Sequence, residues 1–183
     1  MARDPDKGRL RRLRPWVVVY AGATAVLGVI AGIVWNRVVS LPSYVIGADY
    51  RATIAESALA GIAATDVWLA LLGVAGGAIL GTTAWILFRR LGPVVTLIAV
   101  AGAAAAGVLA RLVGEFLGPS NFAARIAQAT RGEFVHIDFT AHTWASLFIW
   151  IGVAAVPVLV GALIQRREWI ALAPAADKAP ESP

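Results

Sequence analysis

Residues 66–93 limit what this chain can become. They run roughly 20 residues without a charge, carry Trp68 and Trp85 near the two ends and stop at Arg89-Arg90, which is the length and flanking chemistry of a membrane-spanning helix. Gly73, Gly77 and Gly81 recur every four residues inside this run, so one face is close to bare backbone that a neighbouring helix can approach. The rest of the chain agrees. At 59% hydrophobic and 15% charged residues, it lies above the roughly 45–50% apolar content of soluble domains. Spanning-length apolar runs predict four helices over about 16–38, 67–88, 94–113 and 143–164. The expected fold is an all-α membrane protein, a four-helix transmembrane bundle over 16–164. A basic tail over 1–15 precedes it and a disordered tail over 165–183 follows.

Arg3, Lys7, Arg9, Arg11, Arg12 and Arg14 precede the first apolar run, a pattern shared with secretory signals. That run exceeds the usual 7–15-residue signal core and no clean A-x-A cleavage site follows it, so an uncleaved first helix is expected. With both termini inside, the inner segments hold eleven Lys/Arg and the outer ones five: Arg37, Arg51, Arg111, Arg125 and Arg131. This asymmetry predicts a multi-pass protein of the cytoplasmic membrane with both termini in the cytoplasm and outer loops over 40–65 and 114–141. The positive charges flank apolar segments and form no single basic face, so the net charge of +5 reads as a topology signal and not as a nucleic-acid site. The absence of cysteine excludes disulfides and thiolate chemistry.

The outer loops carry strand signals. Tyr44, Val45 and Ile46, followed by residues 50–54, suit a short hairpin, and residues 134–139 (FVHIDF) alternate like a strand. Pairing the two would make a small outer cap, with His136 and Asp138 turned away from Val135, Ile137 and Phe139. Residues 56–64 read as a surface helix. Pro157 predicts a kink in the fourth span. The third span, with GAAAAG over 102–107, is expected to be the most buried. Gly28, Gly32, Gly73, Gly77, Gly81 and Gly107 are the expected packing positions, with Gly28 and Gly73 at one depth in contact between the first two helices. The same glycines would also suit a homo-oligomer, although packing of the chain's own helices explains them.

Arg11-Arg12-Leu13-Arg14-Pro15 introduces the first span, and Arg89-Arg90-Leu91-Gly92-Pro93 introduces the third, 78 residues later. Trp68 and Trp144, which open the second and fourth spans, are 76 residues apart, and the arginine pairs that close those spans are 77 apart. This near-constant offset fits two repeated helical hairpins related by an axis along the membrane normal, and it also fits the generic chemistry of membrane hairpins. Asp66-x-Trp68 opening the second span, Gly-x-x-x-Gly steps ending in Trp85 and an arginine pair, and the glycines bounding 107–118 resemble the uncharacterised four-helix integral membrane proteins of actinobacteria, a family of unknown function. The resemblance covers most of 16–164. It implies a four-span cell-envelope protein and carries over no catalytic residue.

One constellation has the residue types for chemistry. His136, Asp138 and His142 would supply two imidazoles and a carboxylate for zinc, with Glu133 as a fourth ligand or base. The competing explanation is simpler: these are polar residues in the one loop where polar residues must go, so no metal, cofactor or catalytic residue is expected. Arg37, Asp66, Arg111 and Glu115 lie near the outer ends of the first three spans and form an expected outer charged cluster, with Arg111 and Glu115 spaced to pair along one helix face. No charge falls at the middle of a span, which argues against an ion pathway within one subunit. Three functions remain open. A non-enzymatic accessory or assembly component that lies in the bilayer and binds an envelope partner through its outer loops needs nothing the sequence lacks. The others are a small oligomeric transporter or channel and an outer-face metal-dependent enzyme.

The topology is testable because the chain has no cysteine of its own. A membrane-impermeant thiol reagent applied to intact cells should label an Asp49→Cys variant and leave an Arg90→Cys variant unlabelled; the reverse pattern would overturn the orientation.

Overall fold

The computed structural model describes residues 5–47, 52–53 and 56–176, with side chains placed over 14–47, at 61 and over 63–167. Five α-helices form: α1 (Pro5–Val38), α2 (Glu56–Phe88), α3 (Val94–Leu117), α4 (Phe122–Gln128) and α5 (Ala145–Ala176). Three short strands, β1 (Ser43–Ile46), β2 (Ala52–Thr53) and β3 (Phe134–His136), lie between them. Four helices are long and apolar enough to cross a membrane. The helices exceed the apolar runs at four ends, by only four residues at the end of α3 and by more at the other three. α1 begins at Pro5, where the fixed φ of proline suits a first helical position, so most of the basic tail is helix. α2 begins at Glu56, which makes the expected surface helix continuous with the second span. α5 continues to Ala176, and this corrects the disordered tail expected from 165. Glu168, Ala171, Leu172 and Ala173 are strong helix formers that extend a helix already nucleated by the span; residues 177–183 lie outside the described residues. α5 stays helical across Pro157. Between α2 and α3, a 3₁₀ turn over Arg89–Leu91 leads to Gly92 at φ 64°, ψ −137°, a conformation that side-chain-bearing residues avoid.

Helix pairing differs from the expected contact between the first two spans. The strongest packing joins α1 to α3 and α2 to α5. A Cβ at Gly28 would lie 2.8 Å from the Ala106 carbonyl oxygen, and one at Gly32 would lie 2.6 Å from that of Ala110. Both contacts are with α3, not α2. On the other pair, a Cβ at Gly77 would lie 2.6 Å from the Trp150 carbonyl oxygen, and one at Gly81 would run into the Ala154 backbone. Sequence numbers rise together along both interfaces, so each pair is parallel. The reason for the mismatch is that depth alone does not choose a partner: any small face at the right level will serve, and Ala106 and Ala110 offer one. α2 and α3 bury equal, and the largest, shares of their apolar windows, because each also packs on the other. The third span therefore shares the interior with the second instead of being the most buried alone.

Two tryptophans lie fully inside the bundle. Trp35 and Trp150 are both 0% exposed, whereas Trp16, Trp68 and Trp144 are exposed as rings at a membrane boundary are. Trp35 lies near the end of its span, as boundary rings do, yet it is a core residue. Its indole N–H donates to the Thr65 carbonyl at 2.8 Å, and that of Trp150 donates to the Leu69 carbonyl at 3.2 Å. α2 therefore receives one indole from α1 and one from α5, a single turn apart. Missing side chains make the room. A Cβ at Gly73 or Gly76 would collide with the Trp150 ring, and one at Gly107 would press on Trp150 and Leu147. Gly114 seats Trp35 in the same way, Gly102 seats Tyr20 and Gly161 seats Trp85.

The outer loops meet in a three-stranded antiparallel sheet of order β2-β1-β3. Register places Tyr44 opposite Val135 and Val45 opposite both Phe134 and Thr53. Val135, Ile46 and Phe139 are buried, while His136 and Phe134 point outward. Phe139 joins cap to bundle: its ring lies edge-on to Trp35 at 4.4 Å between centroids, over the space left by Gly118.

Glycine positions separate tight from open faces. Gly81→Leu should cost ~1–3 kcal/mol or more in detergent, the range for overfilling a packed interior. Leu71→Ala or Ile79→Ala on exposed faces should cost about 0.5 kcal/mol or less, as should Gly22→Ala, since nothing lies within 4 Å of a Cβ there. Equal losses in thermal unfolding would refute the close seat of α2 on α5.

Candidate functional site at the outer end

The outer cluster is built on the last turns of α3 and the upper part of α2. Arg111 and Glu115 are four residues apart on α3 and form an ion pair, with Nε to Oε1 at 2.9 Å. Both also grip a third residue. Arg111 Nη2 donates to the Ala141 carbonyl at 3.1 Å, and the Ala141 N–H donates to Glu115 Oε1 at 3.1 Å. The next amide, that of His142, donates to Asp66 Oδ1 on α2 at 3.0 Å. Three side chains thus satisfy the backbone just before α5, where the chain has left the cap sheet and has no helix to pair with. The Arg111 guanidinium lies 4.9 Å from the centre of the Trp144 ring, a cation–π distance. Asp66, Arg111 and Glu115 thus meet on two consecutive residues, Ala141 and His142, while Arg37 is exposed and makes none of these contacts.

His136, Asp138 and His142 are not brought together as ligands. Among the described residues, no group of three His, Cys, Asp or Glu is placed to hold a metal. Asp138 Oδ1 accepts the Phe122 N–H at 2.8 Å and pairs with Arg125 Nη2 at 3.0 Å. It thereby caps the first turn of α4, a helix that falls within the expected loop over 114–141. Glu133 Oε2 accepts the Thr130 N–H at 2.8 Å and its hydroxyl at 3.1 Å. These bonds, the backbone one foremost, hold the Glu133 carboxyl below its ordinary value. His136 sits on β3 opposite Ser43 and is exposed, as is His142.

What this arrangement does chemically is hold a surface. The four carboxylates at 66, 115, 133 and 138 each accept a backbone amide through one oxygen, so each holds a loop or helix end in shape. Beside them a recess of about 310 Å³ opens on the cap, lined by Arg125, Gln128, Glu133, Phe134, Val135 and His136. Phe134 is 65% exposed there. Sequence reasoning missed this recess because α4 was not foreseen; the one available signal was an alanine-rich run, residues 122–128, following Asn121.

No protein-family model, curated protein or solved structure matches this chain.

Removing one member of the clamp should show its structural role. Glu115→Ala leaves the Arg111 charge and the Ala141 amide short of a partner, and should cost ~1–3 kcal/mol of stability. The double variant His136→Ala, His142→Ala should unfold at the wild-type temperature, and the purified protein should hold no stoichiometric zinc. Elemental analysis finding about one metal per chain, lost in the histidine variant, would reverse this assignment.

Proposed function

We propose that the protein is a non-enzymatic, multi-pass component of the cytoplasmic membrane that binds an envelope protein partner through its outer cap. The observation that carries this reading is the contrast within the cap. Its carboxylates each brace the backbone through one oxygen, while Phe134 stays exposed at the mouth of a recess rimmed by Arg125, Gln128, Glu133 and His136. An apolar ring surrounded by mixed polar groups is the composition of a partner-binding patch. A transporter or channel finds less support, since the described interior is filled by Trp35, Trp150 and the alanines at 99, 103, 106 and 110 and holds no ionisable group at mid-span.

The arginine asymmetry favours cytoplasmic termini with the cap outside. We also propose that the chain is two repeated hairpins. Contacts between α1 and α3 join residues one repeat apart: the Tyr20 hydroxyl approaches the Ile98 carbonyl and the Asn36 amide donates to the Gly114 carbonyl, each 78 residues away. A two-fold axis along the membrane normal would bring equivalent residues together in this way.

A photoreactive residue substituted for Phe134 in native membranes should yield a discrete crosslinked partner by mass spectrometry, whereas one at exposed Leu163, on the span, should yield lipid. Phe134→Ser should lower recovery of that partner without shifting the unfolding temperature. If positions 134 and 163 give indistinguishable products, the cap is not the binding surface.

A further inference from the structure

The opposite end of the bundle, where the arginine pairs stand, holds a larger opening. A cavity of about 690 Å³, inside the roughly 300–1,000 Å³ range of small-molecule sites, lies between the end of α2, the start of α3 and the end of the α5 span. Arg89, Gln165 and Arg166 form its rim, and Trp85, Val158 and Ala162 its apolar wall. Among the described residues, no acidic side chain lines it. Both arginines are exposed, and neither makes a hydrogen bond or ion pair with another described residue. Trp85 and Thr96 also line this space, and neither side chain donates a hydrogen bond to a described residue. α3 begins here with no acidic residue in its first turn and no side-chain cap, so the positive end of its dipole adds to the two guanidinium charges.

We propose that this cavity binds an anionic phospholipid, with the headgroup phosphate between Arg89 and Arg166 and part of an acyl chain against Val158 and Ala162. The charge complementarity selects an anion. The shape selects an amphiphile: from Arg166 to Val158 is eight residues, or about 12 Å of helix, so apolar wall continues well below the level of the charges. On the same helix Leu159, Val160 and Leu163 are exposed, which makes the site continuous with the lipid-facing surface. Basic pockets between membrane helices are suited to acidic headgroups, and arginine forks match phosphate oxygens in pairs.

Delipidated protein in detergent, mixed with phosphatidylglycerol or phosphatidylcholine and examined by native mass spectrometry, provides the test. One phosphatidylglycerol per chain should be retained in preference to phosphatidylcholine. The R89Q/R166Q variant should lower that retention on the order of tenfold. R90Q/R167Q removes the same charge from arginines that do not line the cavity and should leave retention unchanged. Ala162→Trp keeps both arginines and fills the acyl wall, so it should also lower retention; it decides the matter alone if R89Q/R166Q does not fold. Equal retention of the two lipids, equal effects of the two arginine pairs, or full retention in Ala162→Trp would overturn the proposal. Displacement of phosphatidylglycerol by an equal concentration of inorganic phosphate would assign the cavity to a soluble anion instead.

Discussion

A donor buried away from water must find an acceptor inside the protein, and in a membrane bundle the only abundant acceptors are carbonyls already used by the helix. The two inner tryptophans meet this constraint by sharing. Trp35 and Trp150 send their indole N–H groups to the carbonyls of Thr65 and Leu69, whose second lone pairs are free even in an intact helix. Because those acceptors are one turn apart on α2, the rotation and depth of α1 and α5 are fixed against the same short segment. Packing alone would leave both helices free to slide, since lipid tails are as apolar as the side chains they would displace.

The same economy explains the distribution of glycine. Where two backbones meet, as at Gly28 with Ala106 and Gly81 with Ala154, glycine permits close approach. Where an aromatic ring must lie flat, as at Gly73 and Gly76 beneath Trp150 or Gly114 beneath Trp35, it serves as a seat. At the cap end the problem is the reverse, because backbone groups leave regular structure. There charged side chains do the holding. Arg111 and Glu115 together close on both polar groups of Ala141, and Asp66 takes the amide that follows.

Much of this was legible beforehand, for identifiable reasons. The four spans show in the sequence because hydropathy over 20 residues is a strong signal, and the Arg111–Glu115 pair shows because four-residue spacing puts both on one helix face. Alternation in FVHIDF foretold the strand and the inward turn of Val135 and Phe139. Partner choice was not legible. Small faces look alike in one dimension, and Gly73 turned out to hold a ring from α5 and not a face of α1. Neither was α4, a helix of seven residues whose cap, Asp138, lies sixteen residues downstream. The clamp's target was also hidden, since Ala141 contributes only its backbone and a side-chain pattern carries no trace of that.

The pairing of α1 with α3 sets an order of events during synthesis. The residues that Tyr20 and Asn36 approach lie 78 positions later in the chain. At roughly 5–20 residues per second, they leave the ribosome about 4–16 s afterwards. Through that interval Gly28 and Gly32 lack the Ala106 and Ala110 backbone they pack on, and the first hairpin exists without its principal contacts. Nascent-chain maturation is therefore paced by translation of the third span, and a pause before Val94 prolongs the time in which the bare face of α1 is open to other helices.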